Sequence, residues 1–98
     1  MSITDKELYN QNQRIMDLKR ATYESLYKKC VNLIKLNSKK GELMCFYYIP
    51  KIVFGSGYPH VNIEYCAKYI IDKLHIANKH IRATLVQPNM LLIDWRII

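Results

Sequence analysis

Cysteine and histidine, the side chains that most often act as nucleophiles, bases and metal ligands, number three each in this sequence. A thiol beside an imidazole is an activated nucleophile, but nothing in the spacing of Cys66 and His60 favours such a dyad. His75 and His80 stand five residues apart, about 140° around a helix, whereas a metal-binding pair on one helix face is spaced by four. We therefore predict no catalytic residue, no metal ligand and no cofactor, and a protein that is not an enzyme.

A glycine-rich stretch, GSGYPHVN at residues 55–62, precedes a predicted helix and raises the question of phosphate binding. Backbone N–H groups at a helix N-terminus bind anions well. The stretch has neither the GxGxxG spacing of a dinucleotide site nor the GK[ST] of a P-loop. Glycines also simply permit the positive φ angles with which a chain reverses. A plain connection from strand to helix is the favoured interpretation, and a ligand-binding loop is the alternative.

Positive charge is concentrated in the middle of the chain. The net charge is +7, and residues 28–51 contain six basic side chains against Glu42 alone. Such a cluster is typical of a surface that binds an anionic partner. A solvated helix end followed by a loop has the same composition, so both interpretations stay open. The anion-binding candidates are Lys28, Lys29, Lys35, Lys39, Lys40 and Lys51.

Tyrosine is unusually frequent, with eight residues in 98. Its ring buries well while its hydroxyl finds a polar partner, so it is enriched at protein interfaces, and it also stacks on unpaired bases. Several of these tyrosines stand near a second apolar stripe on the first predicted helix or beside the stripe of the second. The predicted protein-interface residues are Met16, Tyr23, Tyr27, Val31, Ile34, Tyr65 and Tyr69.

The composition predicts one soluble domain over residues 1–98. Half of the residues are hydrophobic, which is enough for a small core, and no apolar run approaches the ~18 residues of a membrane span. The polar N-terminus lacks the apolar region of a secretory signal. An odd number of cysteines, each in an apolar pattern, favours buried, reduced thiols rather than a disulfide framework. We expect an intracellular protein with no membrane partner.

The first helix has a clear predicted start. Thr4 and Glu7 have capping-box spacing, and Ile3 and Leu8 have the spacing of a hydrophobic staple. Apolar residues then recur at intervals of three, four or seven to about residue 36. An unbroken helix of that length would span roughly 48 Å and overhang a domain whose radius of gyration is near ~13 Å. Either residues 1–22 include a separate helix that ends near residues 9–13, or the overhanging end packs on something else.

The remaining elements predict a small three-stranded sheet. A turn at residues 37–42, where Asn37 and Gly41 can both stop the helix by taking the left-handed conformation, precedes LMCFYYI. This segment is typical of a central strand covered on both sides, and Pro50 either ends it or forces it to an edge. A second helix starts at the N-cap Asn62. The end is a hairpin that matches its apolar faces only with the three-residue loop 87–89. The predicted fold class is α+β: a long N-terminal helix, then β-α-β-β with a C-terminal hairpin.

Several motifs resemble a family of small conserved proteins encoded by nucleocytoplasmic large DNA viruses. They are the basic helix end YKKC…IK, the strand CFYYIP with FG shortly after, the helix CAKYIIDKL and the ending PNMLLIDW, between about residues 23 and 95. The resemblance implies a viral setting, in the virion or the host cytoplasm, and provides no catalytic residues to transfer. We expect a non-enzymatic virion or assembly component, such as a minor capsid protein, that contacts other viral proteins or itself. The alternative is a basic nucleic-acid-binding module with winged-helix-like features.

Overall fold

The computed structural model describes residues 4–53 and 60–96. Its elements confirm the predicted α+β class and the order helix, strand, helix and hairpin. The glycine-rich stretch 55–57, with its candidate ligand loop, lies outside the described residues. The elements are α1 (Asp5–Lys39), β1 (Met44–Tyr48), α2 (Ile63–Ala77), β2 (Arg82–Val86) and β3 (Met90–Asp94).

The three strands form an antiparallel sheet in the order β1-β3-β2. The hairpin register pairs Leu85 with Leu91 and Ala83 with Ile93, and three residues separate the strands, as the matching of apolar faces predicts. The prediction of β1 as a central strand covered on both sides is wrong, and the edge position that Pro50 indicates is the one observed. The hairpin's last strand, β3, pairs with β1 and occupies the middle, so β1 lies at an edge. Its alternate side chains Phe46 and Tyr48 are exposed.

Helix α1 is continuous over 35 residues. The Thr4 side chain accepts a hydrogen bond from the backbone N–H of Glu7 at 3.2 Å, which confirms the predicted N-cap. Gly41 takes a positive φ of 85° after the last turn, while Asn37 stays helical and donates to the Leu33 carbonyl. The described chain measures 61 × 26 × 22 Å with a radius of gyration of 16.3 Å. The helix therefore projects well beyond a compact domain of this size, for which about 13 Å is usual.

The core lies between the two helices and one face of the sheet. Alternate strand residues point inward, and Leu91 and Ile93 of the central strand are fully buried against Ile70 of α2 and Leu26 of α1. The three cysteines are free and buried within this core. Burial raises the pKa of Cys30 and of Cys66 to about 12, so both stay protonated near neutral pH and pack as small apolar groups.

Local capping fixes the ends of α2. The Asn62 side chain accepts from the Tyr65 backbone N–H at 3.1 Å, as predicted for the N-cap. The helix ends at Asn78, whose backbone is extended and whose side chain accepts from the His80 N–H. Four residues, 78–81, separate α2 from β2, and α2 packs along β2 while α1 packs along β1.

Candidate protein-docking surface

The first part of α1, residues 5–17, forms an arm that the described residues of the chain leave exposed. Every residue in this range is exposed, whereas Thr22, Leu26 and Cys30 of the same helix are buried. Apolar side chains nevertheless continue along the arm: Leu8 is 47% exposed, Ile15 40% and Met16 55%. The sequence pattern that buries the second half of α1 thus extends over a half that the described chain does not cover.

The apolar side chains of the arm continue two apolar stripes of α1, one that passes through Thr22 and one that passes through Tyr23. Leu8 and Ile15 stand fourteen and seven residues before Thr22, so they point to the same side of the helix as the core. Tyr9 and Met16 precede Tyr23 at the same two intervals. Spacing by sevens is the pattern with which one helix packs along another. The arm therefore presents a face two side chains wide that is suited to a second helix.

Just after the arm, at residues 18–27 (the root of the arm), α1 packs against α2 through aromatic and charged side chains. The rings of Tyr23 and Tyr69 lie 6.0 Å apart, and the Lys73 ammonium lies 4.9 Å from the centre of the Tyr27 ring. Glu24 accepts hydrogen bonds from the Tyr69 hydroxyl and from Lys73, both at 2.5 Å. The Lys73 hydrogen bond lowers the pKa of Glu24, and that carboxylate raises the pKa of Lys73. Glu24 is half-buried in this contact, which the sequence does not show because it depends on where α2 packs.

Four of the predicted interface residues converge on one groove. Met16, Tyr23, Tyr65 and Tyr69 line a groove of about 460 Å³ between the root of the arm and α2, together with Lys19, Lys68 and Asp72. Tyr65 is 70% exposed there. The other three candidates, Tyr27, Val31 and Ile34, lie outside this groove. Like Tyr23 and Tyr69, they are half-buried and pack against the core. A function for this groove as an interface stays a prediction.

Sequence reasoning missed an exposed apolar face on the outer side of the sheet. Phe46 and Tyr48 of β1 lie there beside Leu92 and Met90 of β3, and Phe46 is 50% exposed. At one end of this face Arg96 and Arg82 surround Asp94, and the hydrogen bonds from Arg96 lower the pKa of Asp94 to about 2. Side chains alternate between the two faces of β1, but both faces are apolar, so the sequence does not indicate which face is exposed.

The six candidate lysines are all exposed. Lys28, Lys35 and Lys39 are spaced by seven and four, so they share one side of α1, away from the core. Lys29 lies about 100° around the helix from Lys28, and Lys51 follows β1. The structure thus aligns half of the predicted cluster and disperses the rest.

Among residues 4–53 and 60–96, no three histidine, cysteine or acidic side chains come together as metal ligands would. Within the same residues, no helix combines the length and the apolar character required to span a bilayer.

Comparison with known proteins places the chain in a family. The profile of a family of unknown function, DUF5759, matches residues 3–75, which include the arm and most of α2 but not the hairpin. An uncharacterised protein of Acanthamoeba polyphaga mimivirus is 51% identical over 96 residues, covering 98% of this chain and 78% of the relative. No solved structure matches the chain. The resemblance to small proteins of large DNA viruses is therefore confirmed, and the chain belongs to the family of unknown function DUF5759.

Proposed function

We propose that this protein is a non-enzymatic structural or assembly component of a giant virus that acts through protein–protein contacts made by the arm. The observation that carries the proposal is the projection of residues 5–17 beyond the domain with an apolar face. Exposed apolar patches rimmed by polar residues mark interaction surfaces. The family match begins at residue 3, so the arm belongs to the region that the family shares.

The energetics of a free arm support docking. An isolated helix shorter than about 12–15 residues is marginal in water, because packing supplies most helical stability. Full burial of an exposed side chain such as leucine or isoleucine contributes about 1.5–3 kcal/mol. Leu8 and Ile15 are about half exposed in the single chain, so about half of that free energy remains available to a partner. A partner that covers Leu8 and Ile15 would gain binding free energy from their burial and would also stabilise the helix of the arm. The partner in this proposal is viral, and the setting is the virion or the host cytoplasm.

The test replaces two apolar arm residues with glutamine, Leu8→Gln and Ile15→Gln, in a virus that carries a tagged copy of the chain. We expect the wild-type chain in purified particles and at least a tenfold lower ratio of particle to lysate for this variant. The reason is the loss of about 1.5–3 kcal/mol of burial from two side chains that are each about half exposed, since about 1.4 kcal/mol corresponds to tenfold in affinity. Quantitative mass spectrometry of particles and infected-cell lysate measures the ratio.

The matched control is Asn10→Gln with Ala21→Gln. Both residues are exposed on α1, and both point more than about 120° away from Leu8 and Ile15. This control should enter particles like the wild type. Absence of the wild-type chain from particles contradicts the virion assignment, and equal incorporation of both variants contradicts docking through the arm.

A second candidate function, nucleic-acid binding, is favoured by the line of Lys28, Lys35 and Lys39. Contacts to phosphates release counterions, so affinity falls with salt at a slope of about −0.9 per contact on duplex DNA. If the line binds phosphates, replacing all three lysines with glutamine should reduce the magnitude of that slope by about 2–3, measured by fluorescence anisotropy at several salt concentrations. No binding of DNA or RNA at low salt contradicts this candidate. The exposed positions of α2 mix Glu64 and Asp72 with Lys68, which is unsuited to a recognition helix.

A further inference from the structure

We infer that the partner of the arm is a second copy of this chain, and that two arms pair antiparallel with residues 5–18 of each chain along the seam. The inference rests on the proposed function in one respect, that the arm is a docking element. It goes further by naming the occupant, because the apolar, amide and charged residues of the arm all complement the same sequence run in the opposite direction.

The apolar residues are the first part of this match. Leu8 and Ile15 lie on one line of the helix and are both about half exposed. In an antiparallel pair centred midway between them, Leu8 of one chain lies beside Ile15 of the other, and the same contact is repeated by symmetry. The wider face formed by Tyr9 and Met16 then closes over the same seam.

Amide side chains occupy the centre of the pair. Gln11 and Asn12 stand midway between Leu8 and Ile15, about 50° to either side of the line through them. Each amide offers both donors and an acceptor, so Gln11 can bond to Gln11 of the other chain, and Asn12 to Asn12. A polar residue within an apolar helix seam is a known means of fixing register and orientation. In the single chain both side chains are exposed.

The flanking charges complement each other in the antiparallel direction only. A two-fold axis perpendicular to the helices keeps each flank beside itself. One flank carries Glu7 and Arg14, and the other carries Asp5 and Arg20, so each flank offers an acidic residue near one end and a basic residue near the other. Ion pairs within the described part of one chain are formed by other side chains. A parallel pair would set the acidic first turns side by side.

The groove at the root of the arm provides the remaining contact. In the antiparallel register, residues 5–8 of the second chain lie level with residues 15–18 of the first. That level borders the groove lined by Met16, Tyr23 and Tyr65. The first turn of each arm therefore reaches the exposed ring of Tyr65 in the other chain, which gives the largest exposed side chain of the groove a role.

The test is the mass of the full chain in solution as a function of concentration, by sedimentation or light scattering. Stable interfaces bury about 1,200–2,000 Å² of surface. We expect two short arms to bury less than this, and therefore to form a dimer that dissociates on dilution. The mass should move from twice 11.6 kDa to 11.6 kDa. Leu8→Gln with Ile15→Gln should weaken the dimer at least about a hundredfold, since four side chains leave the seam. Asn10→Gln with Ala21→Gln should leave it unchanged.

Charge exchange tests the orientation. Glu7→Arg places two basic residues on one flank and should weaken the dimer about tenfold. Adding Arg14→Glu to the same chain restores one acidic and one basic residue per flank and should return the affinity to that of the wild type. Circular dichroism of each variant confirms that it is folded. Failure of Arg14→Glu to rescue Glu7→Arg overturns the antiparallel register.

A wild-type chain that stays monomeric at high concentration overturns the inference altogether. That result is separable from the proposed function, because a monomer whose arm variant is lost from particles would still dock through the arm, on a different protein. A dimer that is absent from particles would instead keep the inference and contradict the virion assignment.

Discussion

The substitution Ile93→Ala should lower the free energy of unfolding by about 3 kcal/mol. Ile93 lies in the central strand between Cys45 on one side and Ala83 on the other, and its side chain is fully buried. Removing a buried isoleucine side chain beyond Cβ forfeits its transfer free energy and leaves a cavity, which costs about 2–5 kcal/mol in close-packed cores. Since small domains have about 5–15 kcal/mol of stability, the loss would be a large share.

Urea denaturation followed by circular dichroism measures this loss, and Leu92→Ala is the matched control. Leu92 is the next residue of the same strand but points to the outer face of the sheet, where it is only half-buried. We expect its replacement to cost about 1 kcal/mol or less, because less apolar surface leaves a covered environment. Equal costs for the two substitutions would contradict the assignment of the inner and outer faces.

The second large effect concerns the two halves of α1. In the monomer, backbone amides of the arm should exchange with solvent nearly as fast as in an unfolded chain, whereas amides of residues 26–36 should be protected at least about a thousandfold. The second half is held by the core and opens only with much of the domain, while the arm has only its own helical hydrogen bonds. Hydrogen exchange by mass spectrometry at low protein concentration measures both.

Concentration provides the control for this prediction. At high concentration, protection should spread into residues 5–17 as arms pair, and in the chain with Leu8→Gln and Ile15→Gln it should not. Equal protection along all of α1 in the dilute monomer would show that the arm is supported within one chain, and would remove the reason to expect a partner.

These predictions separate stability from docking. The buried residues of the sheet and of the second half of α1 hold the fold, and the arm contributes few contacts to it. Substitutions in the arm should therefore leave the urea midpoint of the monomer nearly unchanged while they alter association. A variant that loses particle incorporation and remains folded would locate the defect in docking.

Local signals in the sequence determined the elements and their ends. The Thr4 and Asn62 caps, the positive φ of Gly41 and the loop at residues 87–89 follow from interactions within a few residues, which the sequence displays directly. For α1, the apolar period and the fixed rise per residue predict an overhang only if the helix does not break near residues 9–13, and the structure shows that it is continuous.

Only the tertiary structure decided which surfaces the chain covers. The position of β1 at the edge depends on β3 returning from more than forty residues away, and no local pattern encodes that pairing. Likewise, Glu24 and Tyr69 are 45 residues apart, and no local pattern indicates that they form a hydrogen bond. Whether an apolar side chain is buried depends on which elements pack against it, not on the apolar stripe to which it belongs. Leu26 and Leu8 therefore follow the same helical period, but Leu26 lies in the core and Leu8 is exposed.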